Sequence, residues 1–554
     1  MKVKIEYFTA SFDKMKHQTD LPRIQDMTQV SIPLFVKNMG HRIVAYILNL
    51  SEEDAENVLN SKADISQERV QILQQFIDIC KHLRMQGIDQ PDVDFLVFHS
   101  LPNIFIEGQH IFNIWHEQMG GKVQIQSSDD PIVEIINKIV SKLYPLFLIK
   151  ITRTPNFFNK MHSHISSTIY SLSEYRLLCS ALMKDPVFLS IFDKVGDNEI
   201  NTTGSYRASS GNGGTIQLGT LPSALVVNSF ELMRMRGEFS LEAFANATEY
   251  TVSTIRQCIK GDVVNVPVFL GFNNISVDKV GEIKTEWGIL RPITEGISEL
   301  TPNNTPTTNI DGKTYNLGFV LESTYPYKVN VGEANMKAKF PKELNEATVQ
   351  LNKITENLSL SFSLACERVP AVGMSSAWTV KFNPLSHGTS ISWNSKQNSP
   401  ARFHVLENGK ELDELLKWSD LLTNVEDSKI RIASRRILSA INQRNDPIDG
   451  FIDAVIAWEN LFGGNAELKF RISVSIAKLL GNNEAEKLEL QKMVSEYYDT
   501  RSKLVHGVKE ITPEQAMEYR DKALDITLKA IRKLYLERVE LIQDANRAKV
   551  LAFL

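Results

Sequence analysis

Cysteine is scarce: the 554 residues hold four, Cys80, Cys179, Cys258 and Cys366. They stand apart with no C-x-x-C pair, so their spacing indicates neither a zinc site nor a disulfide framework. Long apolar runs are missing as well. The longest, residues 143–149, is too short to span a bilayer. The opening Met-Lys-Val-Lys-Ile-Glu-Tyr-Phe alternates like a strand and lacks the hydrophobic core of a secretion signal. There is no basic excess, the formal net charge being −5. That excludes a strongly basic nucleic-acid coat but not a local phosphate site, which needs only a cation or two. The expectation is a cytoplasmic protein without a membrane span, with no metal and no cofactor.

What is present is ordinary globular material, 43% hydrophobic and 23% charged, enough for more than one core. At roughly 100–200 residues per domain the length suggests about three domains. The expected fold class is multidomain α+β. Residues 1–190 read as a mixed α/β domain, with strands over 1–12, 30–36 and 43–50 and helices over 66–85, 132–148 and 171–192. His99, His110, His116, His162 and His164 gather there. His162-x-His164 is a metal pair only if it lies on one face of a strand. With no carboxylate or cysteine at ligand spacing, loop or surface histidines are the simpler reading.

Residues 191–405 shift toward Asn, Thr, Gly and Val and read as a β-rich domain. Short strands fall over 215–218, 263–272, 281–287, 315–321 and 376–382, with helices over 229–236 and 239–260 between them. Residues 301–312 form an exposed loop leading into a strand. Ser209-Ser-Gly-Asn-Gly-Gly-Thr215 lacks the Lys-Ser/Thr of a P-loop and is read as a loop. Residues 406–554 are helical almost throughout, with helices predicted over 411–423, 428–443, 447–462, 466–480, 484–506 and 513–548. Their links are short, as in a bundle.

One stretch of that bundle carries chemistry: Tyr497-Tyr-Asp-Thr-Arg-Ser-Lys-Leu-Val-His506-Gly507. Leu490, Val494, Tyr497, Leu504 and Val505 repeat at helical spacing and put Arg501 on an apolar face. A guanidinium cannot shed its charge, so a buried one needs a carboxylate, a phosphate or a mating surface. His506 follows in the last turn, where the negative end of the helix favours imidazolium. Gly507 suits a left-handed C-cap. Glu459 repeats the oddity, sharing a helix face with Ile452, Val455 and Ile456. Two opposite charges in one core are expected to meet, so Glu459 is the expected partner that orients Arg501, with Asn460 as the neighbouring candidate.

Arg501-x4-His506 in this context resembles the signature helix of HEPN-domain proteins, closest to the Apea-like group. Ala457-Trp-Glu-Asn-Leu-Phe-Gly463 and Leu468-Lys-Phe-Arg-Ile-Ser-Val-Ser-Ile-Ala-Lys-Leu-Leu-Gly481 match that group in order and spacing. The resemblance covers the last quarter of the chain. Ser502 departs from the Asn, Asp or His that many members carry after the arginine.

The resemblance implies an all-α HEPN-type bundle and a metal-independent endoribonuclease of a defence or toxin system. RNA, with tRNA a candidate, is cleaved by its own 2′-hydroxyl at a composite site made by two copies, so a homodimer is implied. Arg501 and His506 are the implied catalytic pair, supported by Glu459 and Asn460, the structural alternative being an arginine and histidine that cap the helix or make salt bridges. Lys503 and Arg471 are candidate phosphate contacts, the alternative for each being an ordinary helix-surface cation. The front domains sense a trigger and gate the bundle. The alternative is a catalytically inactive HEPN module serving as an RNA-binding or dimerisation adaptor.

Overall fold

The computed structural model describes residues 32–85, 104–150, 160–194, 196–298, 305–332, 340–366, 371–385, 390–393, 402–463 and 467–552. The chain divides into two compact units, Met1–Ala181 with Phe239–Thr248, and Leu182–Glu238 with Glu249–Leu554. The β-rich middle and the helical C-terminal stretch therefore fall in one unit. The multidomain α+β class holds.

Among its described residues the first unit is helical apart from a hairpin of Phe105–Ile106 and Gln109–His110. Residues 43–50 form no strand; 43–48 belong to the helix His41–Leu48, which the left-handed Asn49 ends. Ile43, Val44, Ile47 and Leu48 are fully buried at helical spacing, a pattern that overrides the strand preference of the β-branched residues. Of the stretch 30–36, residues 34–36 lie in the helix Leu34–Asn38, while 30–31 and 1–12 lie outside the described residues. Helix starts follow local chemistry. Ser51 accepts from the Asp54 amide, and Asp130, before Pro131, accepts from Ile132 and Val133 to open Pro131–Phe147.

The histidines here have structural work or lie on helices. His110 is buried and its ring accepts from the Phe112 amide at 3.3 Å. His116 stacks on Tyr46 with ring centroids 4.1 Å apart. His162 and His164 lie on the helix Lys160–Ser171, so the strand geometry a His-x-His pair would need is not present. His99 lies outside the described residues. No helix among the described residues is long and apolar enough to cross a membrane.

The second unit is built on a six-stranded sheet in the order Ser390–Trp393, Ser375–Lys381, Val264–Asn273, Gly318–Tyr327, Gly288–Pro292, Ile283–Thr285. Its centre is the antiparallel pairing of Val264–Asn273 with Gly318–Tyr327 along their full length. Gly271 is required there, since a Cβ would stand 2.0 Å from the Trp378 ring that lies across it. The helix Leu221–Arg236 is buried from Leu221 to Met235, and its buried polar groups are paired: Asn228 donates to the Pro384 carbonyl at 2.7 Å, Ser229 to the Leu225 carbonyl at 2.8 Å, and Arg234 bridges to Glu231. Of the predicted loop, residues 209–212 turn between the strands Thr203–Ala208 and Gly213–Gln217, and residues 213–215 belong to the second strand; the buried Ser209 hydroxyl donates to the Pro326 carbonyl at 2.9 Å. Residues 307–316 are more ordered than a loop: Asp311 and Gly312, both at positive φ, close a hairpin of Thr307–Ile310 with Lys313–Asn316.

The helical part comprises α1 (Glu343–Ala365), α2 (Lys410–Asn424), α3 (Arg431–Asn442), α4 (Pro447–Phe462), α5 (Leu468–Leu480), α6 (Glu484–Val505), α7 (Pro513–Glu537) and α8 (Arg547–Ala552). α4 is the central element, packing on α3, α5, α6 and α7. Its buried Trp458 donates to Thr527 of α7 at 2.8 Å. Asp446 caps α4, and Thr512 with Gln515 forms a reciprocal capping box on α7. The helix predicted over 513–548 breaks at Arg538. Beyond the break the buried Arg547 guanidinium donates to the carbonyls of Leu461, Leu541 and Ile542, each at 2.9 Å.

A charge cluster locks α3 to α4. Asp453 is buried and accepts from Arg436 at 2.8 Å, Arg444 at 2.7 Å and Ser439 at 3.0 Å. Burial alone would raise this carboxyl. The hydrogen bonds from Arg444, Ser439 and Arg436 outweigh that and hold it below its ordinary value.

Candidate active site at the end of α6

α6 opens where Asn483 accepts from the Glu486 amide. It is held against α4 and α7 by Tyr497, buried and ringed by Phe451, Trp458 and Tyr519, with centroids 5.8, 6.4 and 4.9 Å away. Arg501 sits one turn further on.

The helix ends as the sequence suggests. Gly507 is left-handed at φ 68°, the Val508 amide donates to the Lys503 carbonyl at 2.8 Å, and the Gly507 amide donates to Leu504 at 3.1 Å. Those paired bonds make a Schellman motif. They fix the backbone that carries His506, whose side chain is exposed.

Arg501 Nη1 lies 3.5 Å from Glu459 Oε1, bringing α6 and α4 into an ion pair. Neither side chain is fully buried, with exposures of 21% and 25%. The expected apolar stripe is buried only at Val494 and Tyr497. Leu490 and Leu504 are half-buried and Val505 is exposed. The reason lies on α4, where Ile452, Ile456, Glu459 and Asn460 form the edge of its buried face. Arg501 Nε is nonetheless shut from solvent and makes no hydrogen bond among the described residues. The guanidinium is thus paired on one side and unsatisfied on another.

Tyr498, one turn before Arg501, was not singled out by sequence. Burial raises its phenol first, and the charge of Glu459 and a hydrogen bond to it add to the shift. The i, i+3 spacing to Arg501 was the signal that would have found it. Asn460 turns away and donates to the Ile456 carbonyl of its own helix at 2.8 Å.

Lys503 and Arg471 separate. Two residues along a helix are 200° apart, so Lys503 faces away from Arg501. It lines a shallow groove with Leu488, Lys492, Ser495 and Asp499. Arg471 lies in the first turn of α5 and makes no ion pair among the described residues. The neighbouring Lys469 bridges to Asp499 at 2.5 Å, so the start of α5 runs beside the last turns of α6. Exposed apolar side chains collect at this end of the bundle: Leu468, Phe470, Val505 and Val508, at 37, 57, 51 and 75% exposure.

A fixed cation edge and an exposed imidazole on one helix end suit a reaction at a phosphate, with charge stabilisation from Arg501 and proton transfer through His506. No family model matches the chain, and neither does any curated protein or solved structure.

Proposed function

We propose that the C-terminal helices form a HEPN-type endoribonuclease of a defence or toxin system, gated by the front of the chain. The observation that carries the reading is the Arg501–Glu459 pair on the helix whose Schellman-capped end carries His506. An orienting carboxylate holds the guanidinium while its solvent-facing edge remains for a phosphate. The RNA supplies its 2′-hydroxyl as nucleophile. His506 exchanges the proton with that hydroxyl or the leaving oxygen, and Arg501 stabilises the charge that develops on the phosphate. The products are a 2′,3′-cyclic phosphate and a 5′-hydroxyl, formed without a metal.

A second copy of the chain completes the site. The exposed Phe470, Leu468, Val505 and Val508 at the same end supply the apolar surface that two bundles bury against each other. Arg471, at the same end of the bundle, supplies a further phosphate contact, whereas Lys503, turned away from Arg501 on α6, does not.

The test is cleavage of total RNA and tRNA by purified protein in EDTA, wild type against Arg501→Ala and His506→Ala. Cleavage by the wild type alone, with cyclic-phosphate ends, is the expected result. Equal cleavage by all three proteins refutes the site. If none cleaves while the wild type still binds RNA and dimerises, the adaptor reading replaces the nuclease. Phe470→Glu is expected to shift the sedimentation profile from dimer to monomer and to abolish cleavage together.

A further inference from the structure

Cys366, His404 and Glu411 come together far from the end of α6 in sequence and from three different elements. Cys366 caps the C-terminus of α1, His404 lies on the strand His404–Val405, and Glu411 is in the first turn of α2. One donor atom from each, a thiol sulfur, a ring nitrogen and a carboxylate oxygen, lies within 4.8 Å of the others. Cys366 and His404 are buried at 7 and 1% exposure, while the Glu411 side chain keeps 25% and opens the cluster to solvent.

We propose that these three residues bind a borderline-soft divalent metal of the zinc class. Donors about 2.0–2.3 Å from a tetrahedral zinc stand roughly 3.3–3.8 Å apart, so a set already within 4.8 Å needs only a small contraction. His404 Nε2 and Glu411 Oε2, at 3.0 Å, already have nearly that separation. Thiolate, imidazole and carboxylate together select zinc over magnesium or calcium, which prefer oxygen alone.

The supporting shell is built to hold these donors. The Glu407 amide donates to Glu411 Oε2 at 3.1 Å. The His404 amide donates to Asn274 at 3.0 Å, within a short parallel pairing with Ile275–Ser276. Arg532 of α7 donates to the Leu364 and Ser363 carbonyls at 2.9 and 3.2 Å, fixing the end of α1 just before Cys366. Such outer partners orient ligands and set affinity. Three protein donors leave the fourth position for water entering past Glu411. On binding, the Cys366 thiol gives its proton to the solvent, so affinity rises with pH.

The site is independent of the nuclease reading, and it is tested by a signal other than cleavage. Full-length protein is stripped with chelator and titrated with Zn2+ and, separately, Co2+. One equivalent is expected to bind, and the cobalt form is expected to show the sulfur-to-metal charge-transfer band of a thiolate ligand. Cys366→Ser abolishes that band and weakens zinc binding at least tenfold. Glu411→Gln, at the partly exposed edge where the fold tolerates it, weakens binding at least tenfold but keeps the band. Failure of the wild type to bind one equivalent overturns the proposal, as does binding unchanged by Glu411→Gln or a cobalt spectrum without thiolate character.

Discussion

If Glu459 orients Arg501, the two side chains are energetically coupled, and the coupling follows from their geometry. At 3.5 Å and an effective dielectric constant of about 20, the bare attraction is about 5 kcal/mol. Desolvation and lost side-chain freedom offset most of it, and fully exposed pairs retain about 0–1 kcal/mol. With exposures of 21% and 25% this pair sits just inside that limit, so a net coupling of about 1 kcal/mol is expected.

A double-mutant cycle of Glu459→Gln and Arg501→Met measures it. Native-state amide exchange over the last turns of α6 is the appropriate assay, because it reports local opening without requiring the whole chain to unfold in one step. The coupling then appears as about a fivefold change in protection. The two single variants are not equivalent. Removing Arg501 leaves Glu459 its contact with Tyr498, whereas removing the charge of Glu459 leaves a guanidinium whose Nε already lacks an acceptor. Glu459→Gln should therefore cost more. A coupling below about 0.3 kcal/mol, within the additivity of unconnected sites, would refute the positioning role.

Three further outcomes test the frame around the site. Asp453→Asn loses charge-assisted hydrogen bonds to two arginines that are 43 and 39% exposed and can turn to water, so the expected loss is about 2 kcal/mol by denaturant titration. Because the folded carboxyl lies below its unfolded value, its contribution is complete above the unfolded value, about 3.9, and disappears as pH falls through the folded one. Wild type should therefore lose stability on acidification below about pH 5 more steeply than Asp453→Asn. Gly507→Ala meets nothing within 4 Å of the added Cβ, so its cost, about 1 kcal/mol in exchange at the helix end, is purely that of the left-handed backbone. Arg547→Met takes a donor from three buried carbonyls, of which that of Leu541 keeps the Asp544 amide, and should cost about 3 kcal/mol in thermal unfolding, with Leu461 at the end of α4 among the first amide regions to loosen.

The sequence by itself determined whatever is written in neighbouring residues. Asp130-Pro131, Asp446-Pro447 and Thr512-Pro513 each start a helix because cap and first turn are adjacent in the chain. Gly507 ends α6 for the same reason, and the turn-by-turn spacing of Glu459 and Arg501 on their helices was enough to pair them. Tertiary structure decided the remainder. It made 43–48 part of a helix, since burial of Ile43, Val44, Ile47 and Leu48 on one side outweighs local β preference. It split the last helix so that Arg547 could reach carbonyls on other segments, and it left Arg501 half-exposed because α4 presents only the edge of its buried face. The Asp453 cluster and the Cys366–His404–Glu411 group depend on chain segments that meet only after folding. No spacing rule announces them, because a helix or hairpin is fixed by local dihedrals, whereas the meeting of separated side chains is fixed by topology.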